Sequence, residues 1–211
     1  MAAVAQRAIA IGINQGALFA RVQPDATRPD VQFHFGTLSA DLAGARPHPW
    51  SGATFSVCQL RPRSRGSVLA RSASMLEAPA IQPNYLSAAA DRQVAIAAVR
   101  LARRLARSQA LRPYLVEEYR PGADCGDSDD ELLGFVRNHA ATIFHPVGTC
   151  RMGNDAAAVV DSRLRVRGID GLRVIDASIM PTLPSGNTHI PTVMIGERGA
   201  DFLLQDHQDS R

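Results

Sequence analysis

The sequence predicts an α/β fold with an antiparallel sheet, long helices and a C-terminal strand, loop and helix. Three observations support this fold class. Apolar Val31, Phe33 and Phe35 alternate with polar residues, which is typical of a half-buried strand. Apolar residues recur at helical spacing within residues 88–110, and arginines occupy the other faces. Near the C-terminus, a short apolar run precedes a loop rich in proline and glycine and then a second apolar segment.

Several short strands are predicted in the N-terminal half of the chain. Alternating isoleucines within residues 1–22 indicate one or two strands around a turn. Residues 54–60 and 67–71 are predicted to pair as a hairpin joined by a tight turn at 61–66. His34 lies on the strand face opposite the apolar residues, where it is either exposed to solvent or, in a sheet that lines a pocket, directed at substrate.

Helices are predicted at two places in the middle of the chain. The first covers residues 88–110, and its small apolar stripe fits packing against a sheet. The second covers residues 129–139, because Ser128 and Glu131 have the spacing of a capping box. His139 ends that helix, where the helix dipole favours a partly charged imidazole, and we interpret it as structural.

Composition excludes several classes of protein. With 211 residues, 45% of them hydrophobic and 20% charged, the chain has the composition of an ordinary globular protein. No apolar run approaches the roughly 18 residues of a membrane helix, so no transmembrane segment is predicted, and no export signal is recognisable. The net charge of +3 comes from arginines without interleaved aromatics, which predicts a solvated face and no nucleic-acid partner. Three widely spaced cysteines favour a reducing compartment, so we expect a cytoplasmic protein, free or peripheral to the membrane.

The last third of the chain carries the patterns that predict function. Residues 145–153 read HPVGTCRMG, and residues 171–203 read GLRVIDASIMPTLPSGNTHIPTVMIGERGADFL. In the second text we predict a buried strand at 172–176, a loop, and a helix opened by Pro191 and running to about residue 204. A strand, a loop and a helix N-terminus commonly cradle an anionic cofactor. His145 and His189 lie 44 residues apart, which predicts two elements that meet at one site.

These texts carry a family resemblance. HPVGTCRMG, VVDSRLRVRGIDGLRVIDAS and SGNTHIPTVMIGERGAD resemble the C-terminal signature of the glucose–methanol–choline (GMC) family of flavin-dependent alcohol oxidoreductases, most closely its choline-dehydrogenase-like branch. RPRSRGSVLARS at 61–72 and IQPNYLS at 81–87 also resemble its substrate domain. The resemblance therefore spans roughly the whole chain, with several long motifs in the family's order.

The resemblance implies a division of the chain and a missing part. Residues 1–140 would form a substrate-binding domain with an antiparallel sheet, and residues 141–211 the C-terminal segment of a Rossmann-like FAD-binding domain. The GxGxxG turn that holds the ADP part of FAD does not occur in the sequence. We therefore expect a fragment lacking the N-terminal dinucleotide-binding motif. It would be either a truncated gene product or a split subunit, and in the second case the N-terminal FAD-binding half would be a separate partner chain.

The resemblance also implies a reaction, the oxidation of a small-molecule alcohol to an aldehyde. One histidine would take the hydroxyl proton while the α-hydride goes to flavin N5, which is the cofactor's own chemistry. By the family's pattern His145 is the base, and His189 holds the developing alkoxide by a hydrogen bond. The predicted FAD contacts are Asp176, Ala177, His189, Ile190, Pro191 and Thr192.

Alternative interpretations remain open at this point. A metal site could use His139, His145, Cys150 and His189, but no acidic residues nearby would orient zinc-bound histidines, so no metal is predicted. Asp176 could simply cap a turn at a strand end. The chain could be a non-catalytic remnant or interaction module that cannot bind FAD alone, or it could belong to a lyase that uses the same histidines without net redox. An isolated chain is expected to expose the apolar face of residues 172–176.

Overall fold

The computed structural model describes residues 14–41 and 45–209. The elements in this part of the chain are β1 (Asn14–Ala20), β2 (Val31–Gly36), β3 (Thr54–Gln59), β4 (Ser67–Leu69), β5 (Ala80–Gln82), α1 (Ala89–Ala106), α2 (Asp129–His139), a 3-10 helix (Ala177–Ile179) and α3 (His189–Asp209). The isoleucine alternation that predicts a strand before residue 14 lies outside the described residues. None of the helices in the described part is both long and apolar enough to cross a membrane.

The chain forms two compact units. The first unit lies within Met1–Arg63 and Leu86–Ile143, and the second within Ser64–Tyr85 and Phe144–Arg211. The division after Ile143 lies three residues from the predicted division at residue 140. Residues 64–85 belong to the second unit, although the prediction placed them in the first domain. The substrate-binding and FAD-binding roles assigned to the two regions stay predictions.

An antiparallel three-stranded sheet of order β1-β2-β3 organises the first unit. β2 is central, and Phe33 pairs with Leu18 on one side and Val57 on the other. Val31 and Phe33 are buried together with Ala98 of α1, so the sheet and this helix share a core. The strand predicted from alternation is therefore confirmed. His34 is half-buried, and its Nε2 lies 3.0 Å from Nε2 of the Gln32 side chain. Its side chain is therefore less exposed than expected.

Both predicted helices of the first unit are present. α1 ends at Ala106, before the predicted residue 110, because the amide of Ser108 bonds the carbonyl of Leu105 and tightens the last turn. α2 has its predicted bounds, and the Ser128 and Glu131 capping box is formed. Ile96 and Val99 of α1 pack against Leu132 and Val136 of α2.

The predicted hairpin of residues 54–60 and 67–71 does not form. β3 pairs with β2, whereas β4 pairs with β5 in a separate ribbon. Gly66 leads into that ribbon, and a Cβ on it would lie 2.1 Å from the carbonyl oxygen of Gln82. The two strands also belong to different units, since the chain passes from the first to the second at Arg63.

Contacts with α1 explain why the chain does not turn back after β3. Asp91 of α1 is buried, and its carboxylate accepts a hydrogen bond of 2.8 Å from the amide of Arg63. The side chain of Gln59 donates to the Asp91 carbonyl. A buried carboxylate requires such partners, so the segment after β3 is held along the helix rather than against its own strand.

The predicted buried strand at 172–176 is also absent from the structure. Only an isolated bridge between Arg165 and Arg173 forms there, and Leu172 is 47% exposed. A strand needs a hydrogen-bonded neighbour along its length, and within 14–41 and 45–209 no strand pairs with this segment. The expected exposure holds for Leu172, whereas Val174 and Ile175 pack against the core of the second unit.

The core of the second unit lies between α3 and the irregular segment before it. Its buried residues are Val160, Leu164, Ile179, Met180, Ile195 and Phe202. α3 begins at His189, two residues before the predicted Pro191, and continues past the predicted end to Asp209. Gly199 lets the helix approach closely, since a Cβ there would lie 2.3 Å from Cγ2 of Ile175.

Candidate functional site

The first predicted site residue, His145, lies at the start of a constrained loop. Phe144 precedes it with a φ of 59°, in the left-handed region that non-glycine residues rarely occupy. Pro146 follows it and restricts the backbone of His145 to extended conformations. Gly148 has a φ of 91°, and a Cβ there would lie 3.3 Å from the carbonyl oxygen of Met180. His145 itself is half-buried.

Residues 145–153, which we call the His145 loop, dock on the segment that carries the predicted cofactor contacts Asp176 and Ala177. The amide of Cys150 donates to the carbonyl of Ser178 at 3.0 Å, and the amide of Met152 donates to the carbonyl of Ile179 at 2.8 Å. Both bonds lie within the second unit. The structure thus brings together the two texts that the sequence marks as functional, although 24 residues separate Asp176 from Met152.

Asp176 has a structural role in this segment. Its carboxylate accepts a 2.7 Å hydrogen bond from the amide of Ser178 and so caps the 3-10 helix, as the alternative interpretation of this residue expected. The Asp176 side chain remains exposed, while Ala177 packs against the core of the second unit. A contact between either residue and FAD stays a prediction.

Ser178 provides the observation that tests the fit of a cofactor. Its Oγ is buried and has no hydrogen-bond partner among the described residues. Buried hydroxyls are normally paired, because an unpaired one costs about 1–3 kcal/mol. An unpaired hydroxyl beside Asp176 and Ala177 fits a polar group bound at this place. No sequence pattern identifies Ser178, because the burial of its hydroxyl and the lack of a partner are visible only in the folded chain.

The remaining predicted contacts lie in the first turn of α3. The hydroxyl and the amide of Thr192 both bond the carbonyl of buried Thr188, at 2.7 and 3.0 Å, and fix the start of the helix. His189 and Ile190 are exposed at this end, and Ile190 is 73% exposed. The amides of His189 and Ile190, the first two residues of α3, have no acceptor within their own helix and lie at the positive end of its dipole. This end of α3 therefore suits an anionic or electron-rich group.

An ion pair and a backbone hydrogen bond both involve Arg151, near the end of the His145 loop. Arg151, inside the loop, donates at 2.8 Å to Asp155, and the hydrogen bond holds the pKa of that carboxyl well below its usual range. The carbonyl of Arg151 accepts from the amide of Val159 at 3.0 Å. The loop is consequently fixed at its far end by Arg151 and near its middle by Gly148.

The geometry also bears on the metal alternative. Among residues 14–41 and 45–209, no three histidine, cysteine or acidic side chains lie together as a metal-binding group. His139 bonds the carbonyl of Phe135 in its own helix at 3.0 Å and stacks on the ring of that residue. His145 and His189 both belong to the second unit, and the convergence of their imidazoles on one substrate atom stays a prediction.

Comparison with curated proteins gives close relatives. The chain is 41% identical over 187 residues to an alcohol dehydrogenase (acceptor) of Pseudomonas putida, a match that covers 89% of this chain and 34% of that protein. It is 42% identical over 185 residues to an oxygen-dependent choline dehydrogenase of Escherichia coli O45:K1, covering 88% of this chain and 33% of that protein. The chain thus spans about a third of the length of the curated relatives it matches.

Solved structures share the fold. Pyridoxine 4-oxidase from Mesorbium loti superposes with a TM-score of 0.79 and 30% identity, over 90% of this chain and 37% of that one. A FAD-dependent oxidoreductase from Chaetomium thermophilum superposes with a TM-score of 0.73 and 29% identity, over 86% of this chain and 29% of that one. The family model of GMC oxidoreductase matches residues 62–196. This range includes the whole of residues 145–153 and the part of residues 171–203 that ends in the second turn of α3. The chain therefore belongs to the GMC oxidoreductase family.

Proposed function

We propose that the protein contributes the catalytic histidines of a FAD-dependent enzyme that oxidises a small alcohol to an aldehyde. The observation that carries this proposal is the docking of the His145 loop on the segment 176–180, within the unit that also contains α3. The similarity to an alcohol dehydrogenase and to choline dehydrogenases supports the substrate class.

Free thiols at all three cysteines support a cytoplasmic location.

The cofactor would be held by residues of the second unit. Asp176 and Ala177 would contact its pyrophosphate and ribityl region, and the Ser178 hydroxyl is available for a further polar contact. His189, Ile190, Pro191 and Thr192, in the first turn of α3, would face the isoalloxazine. Bound FAD supplies the hydride acceptor, flavin N5. The helix dipole would favour the negative charge that develops near this end of α3.

His145 would act as the base in this reaction. Its imidazole would take the proton of the substrate hydroxyl as the α-hydride leaves, since imidazole is the side chain whose ordinary pKa lies nearest to neutral pH. The left-handed Phe144 and the restriction imposed by Pro146 fix the backbone on both sides of the base. A base held in this way loses little entropy on reaching the attacking geometry.

His189 would hold the substrate oxygen. As the first residue of α3 it is exposed, and a hydrogen bond from its ring would stabilise the developing alkoxide. Its proposed role is to position and stabilise rather than to remove a proton.

A further FAD-binding part would complete the site. The relatives are about three times as long as this chain, and the sequence contains no GxGxxG turn. We therefore include in the proposal an N-terminal part that carries the dinucleotide-binding motif and binds this chain as a partner.

The test is the flavin spectrum of a reconstituted complex. The chain is co-expressed with the N-terminal part of the Pseudomonas putida relative, and bleaching of the flavin bands by a panel of alcohols is followed without oxygen. His145→Ala should slow flavin reduction at least about 100-fold. His139→Ala is the matched control, because that imidazole bonds its own helix in the first unit, and it should leave the rate unchanged.

Two results would contradict the proposal. Flavin reduction at the wild-type rate in His145→Ala would remove this residue as the base. A complex that binds no flavin would favour the alternative of a non-catalytic remnant.

A further inference from the structure

The connection between β4 and β5 presents two apolar side chains to solvent. Met75 is 100% exposed, and Leu76, which follows it, is 98% exposed. Both lie in residues 72–77, which we call the ribbon turn. The thioether of Met75 is therefore open to any small reagent in solution.

Local hydrogen bonds order the ribbon turn. The amide of Ser74 donates to Oγ of Ser72 at 3.1 Å, and the amide of Leu76 donates to Oγ of Ser74 at 3.3 Å. The amide of Glu77 donates to the carbonyl of Ser74 at 3.3 Å. Serine hydroxyls close turns in this way because they accept hydrogen bonds from nearby backbone amides. The backbone on both sides of Met75 is thereby held, which keeps its thioether in solvent.

The other described methionines are better protected. Met180 is 8% exposed and belongs to the core of the second unit. Met152 is half-buried and packs against the same core. Met194, in α3, is 58% exposed. Exposure therefore ranks Met75 first and Met194 second among the methionines that the structure describes.

We propose that Met75 is a redox-modification site, at which hydrogen peroxide oxidises the thioether to the sulfoxide before it oxidises the other described methionines. A lone pair of the sulfur attacks one peroxide oxygen, so that the S–O bond forms as the O–O bond breaks. Sulfur gives up two electrons and the peroxide is reduced. The second oxygen leaves as water after taking the proton of the transferred oxygen. The reaction uses neither a cofactor nor any residue of the proposed active site.

Oxidation changes the character of the ribbon turn. The thioether is flexible and apolar, whereas the sulfoxide is polar and accepts hydrogen bonds. In the reduced state Met75 and Leu76 form an adjacent pair of exposed apolar side chains, and in the oxidised state only Leu76 is apolar. Methionine sulfoxide reductases reverse the reaction, so the turn has two interconvertible states.

Peptide mapping of the oxidised chain tests this inference. The folded chain is treated with hydrogen peroxide for increasing times, digested with trypsin and analysed by mass spectrometry. Cleavage after arginine leaves Met75 as the single methionine of residues 72–92. Met75 should be oxidised at least about tenfold faster than Met152 and Met180, and faster than Met194, because exposure controls access of the peroxide.

Unfolding provides the internal control. In concentrated urea the four methionines should be oxidised at similar rates, because the fold then protects none of them. Met75→Leu has nearly the same volume and should remove the first sulfoxide without changing Tm. Met194→Leu is the matched variant, and in it the sulfoxide of Met75 should form at the wild-type rate.

Several results would overturn the inference. Oxidation of Met75 and Met180 at equal rates in the folded chain would do so, as would oxidation of Met194 ahead of Met75. A mixture of the reductases for both sulfoxide epimers should return the peptide of residues 72–92 to its original mass, and a persistent gain in mass would refute the reversible change. In hydrophobic-interaction chromatography, peroxide should make the wild type elute earlier and leave Met75→Leu unmoved, whereas equal shifts of both would refute the proposed change in the turn.

Discussion

The close approach of α3 to the segment before it gives the sharpest test of the fold. Gly199 and Gly196 lie three residues apart in the same helix. A Cβ on Gly199 would lie 2.3 Å from Cγ2 and 2.9 Å from Cδ1 of Ile175. Apart from its chain neighbours and the nearby backbone of its own helix, a Cβ on Gly196 would have no described atom within 4 Å. Gly199→Ala and Gly196→Ala are therefore the same chemical change with and without a steric conflict.

The expected magnitudes follow from two opposing effects. Alanine is favoured over glycine in a helix interior by about 0.5–1 kcal/mol, and this gain applies to both variants. At Gly199 the added methyl group must displace the β-branched side chain of Ile175, and overpacking of this kind costs about 1–3 kcal/mol. Gly196→Ala should therefore stabilise the protein, and the difference between the two variants should equal the overpacking cost alone.

Thermal unfolding of the two variants, followed by circular dichroism, measures this difference. Since 1 kcal/mol shifts Tm by about 2–4 °C in a chain of this size, the two midpoints should differ by roughly 2–12 °C. Adding Ile175→Ala should make Gly199→Ala less harmful, because the clashing carbons are then absent. Equal upward shifts for Gly196→Ala and Gly199→Ala would refute the packing of α3 on Ile175.

Three further predictions concern the described side chains. Ser128→Ala should destabilise the protein by about 1 kcal/mol in urea denaturation, because it removes the α2 capping box with Glu131; a loss under 0.2 kcal/mol would contradict the box. A hydrogen bond from Arg163 holds the pKa of Asp206 below its usual range. The pair therefore stabilises the fold fully above the ordinary carboxyl pKa of about 3.9, and this stability is lost as pH falls through the lowered pKa. The Tm of Asp206→Asn should consequently depend less on acid pH than the Tm of the wild type. Burial raises the pKa of the Cys58 thiol, so iodoacetamide should alkylate it more slowly than free cysteine at pH 8, and equal rates would contradict its burial.

The helices and the central strand could be predicted because their signals are local. The capping box of Ser128 and Glu131 and the apolar spacing of α1 depend on residues within a few turns of one another. β2 could be predicted because its apolar residues alternate with polar ones, although Gln32 on the other face is buried as well. These elements require no knowledge of which distant segment they contact.

The pairing of strands could not be predicted in the same way. The hairpin of residues 54–60 and 67–71 fits every local rule, but the buried carboxylate of Asp91 holds the chain after β3, and Asp91 lies 28 residues beyond its partner Arg63. The segment 172–176 has the composition of a buried strand, yet composition does not supply the neighbour that a ladder requires. In both cases the deciding interaction is non-local.

Some residues of the candidate site could likewise be predicted from local sequence, and others could not. The motif text identified His145 and His189, and the resemblance assigned Asp176 and Ala177 to the cofactor, because these are statements about residue type and order. The unpaired hydroxyl of Ser178 was missed, since an absent partner is a property of the folded chain and not of the text.

Much of the family signature in this chain is engaged in packing rather than in chemistry. Within the text HPVGTCRMG, Val147 and Met152 pack against the core of the second unit, and Gly148 approaches the carbonyl of Met180. The backbone of Cys150 bonds the segment after Asp176. The length of this motif therefore reflects the packing of the loop as well as the histidine that we propose as the base. If the proposed function holds, loss of activity after a change at Gly148 or Met152 would report displacement of His145, and only a change at His145 itself would report the proposed proton transfer.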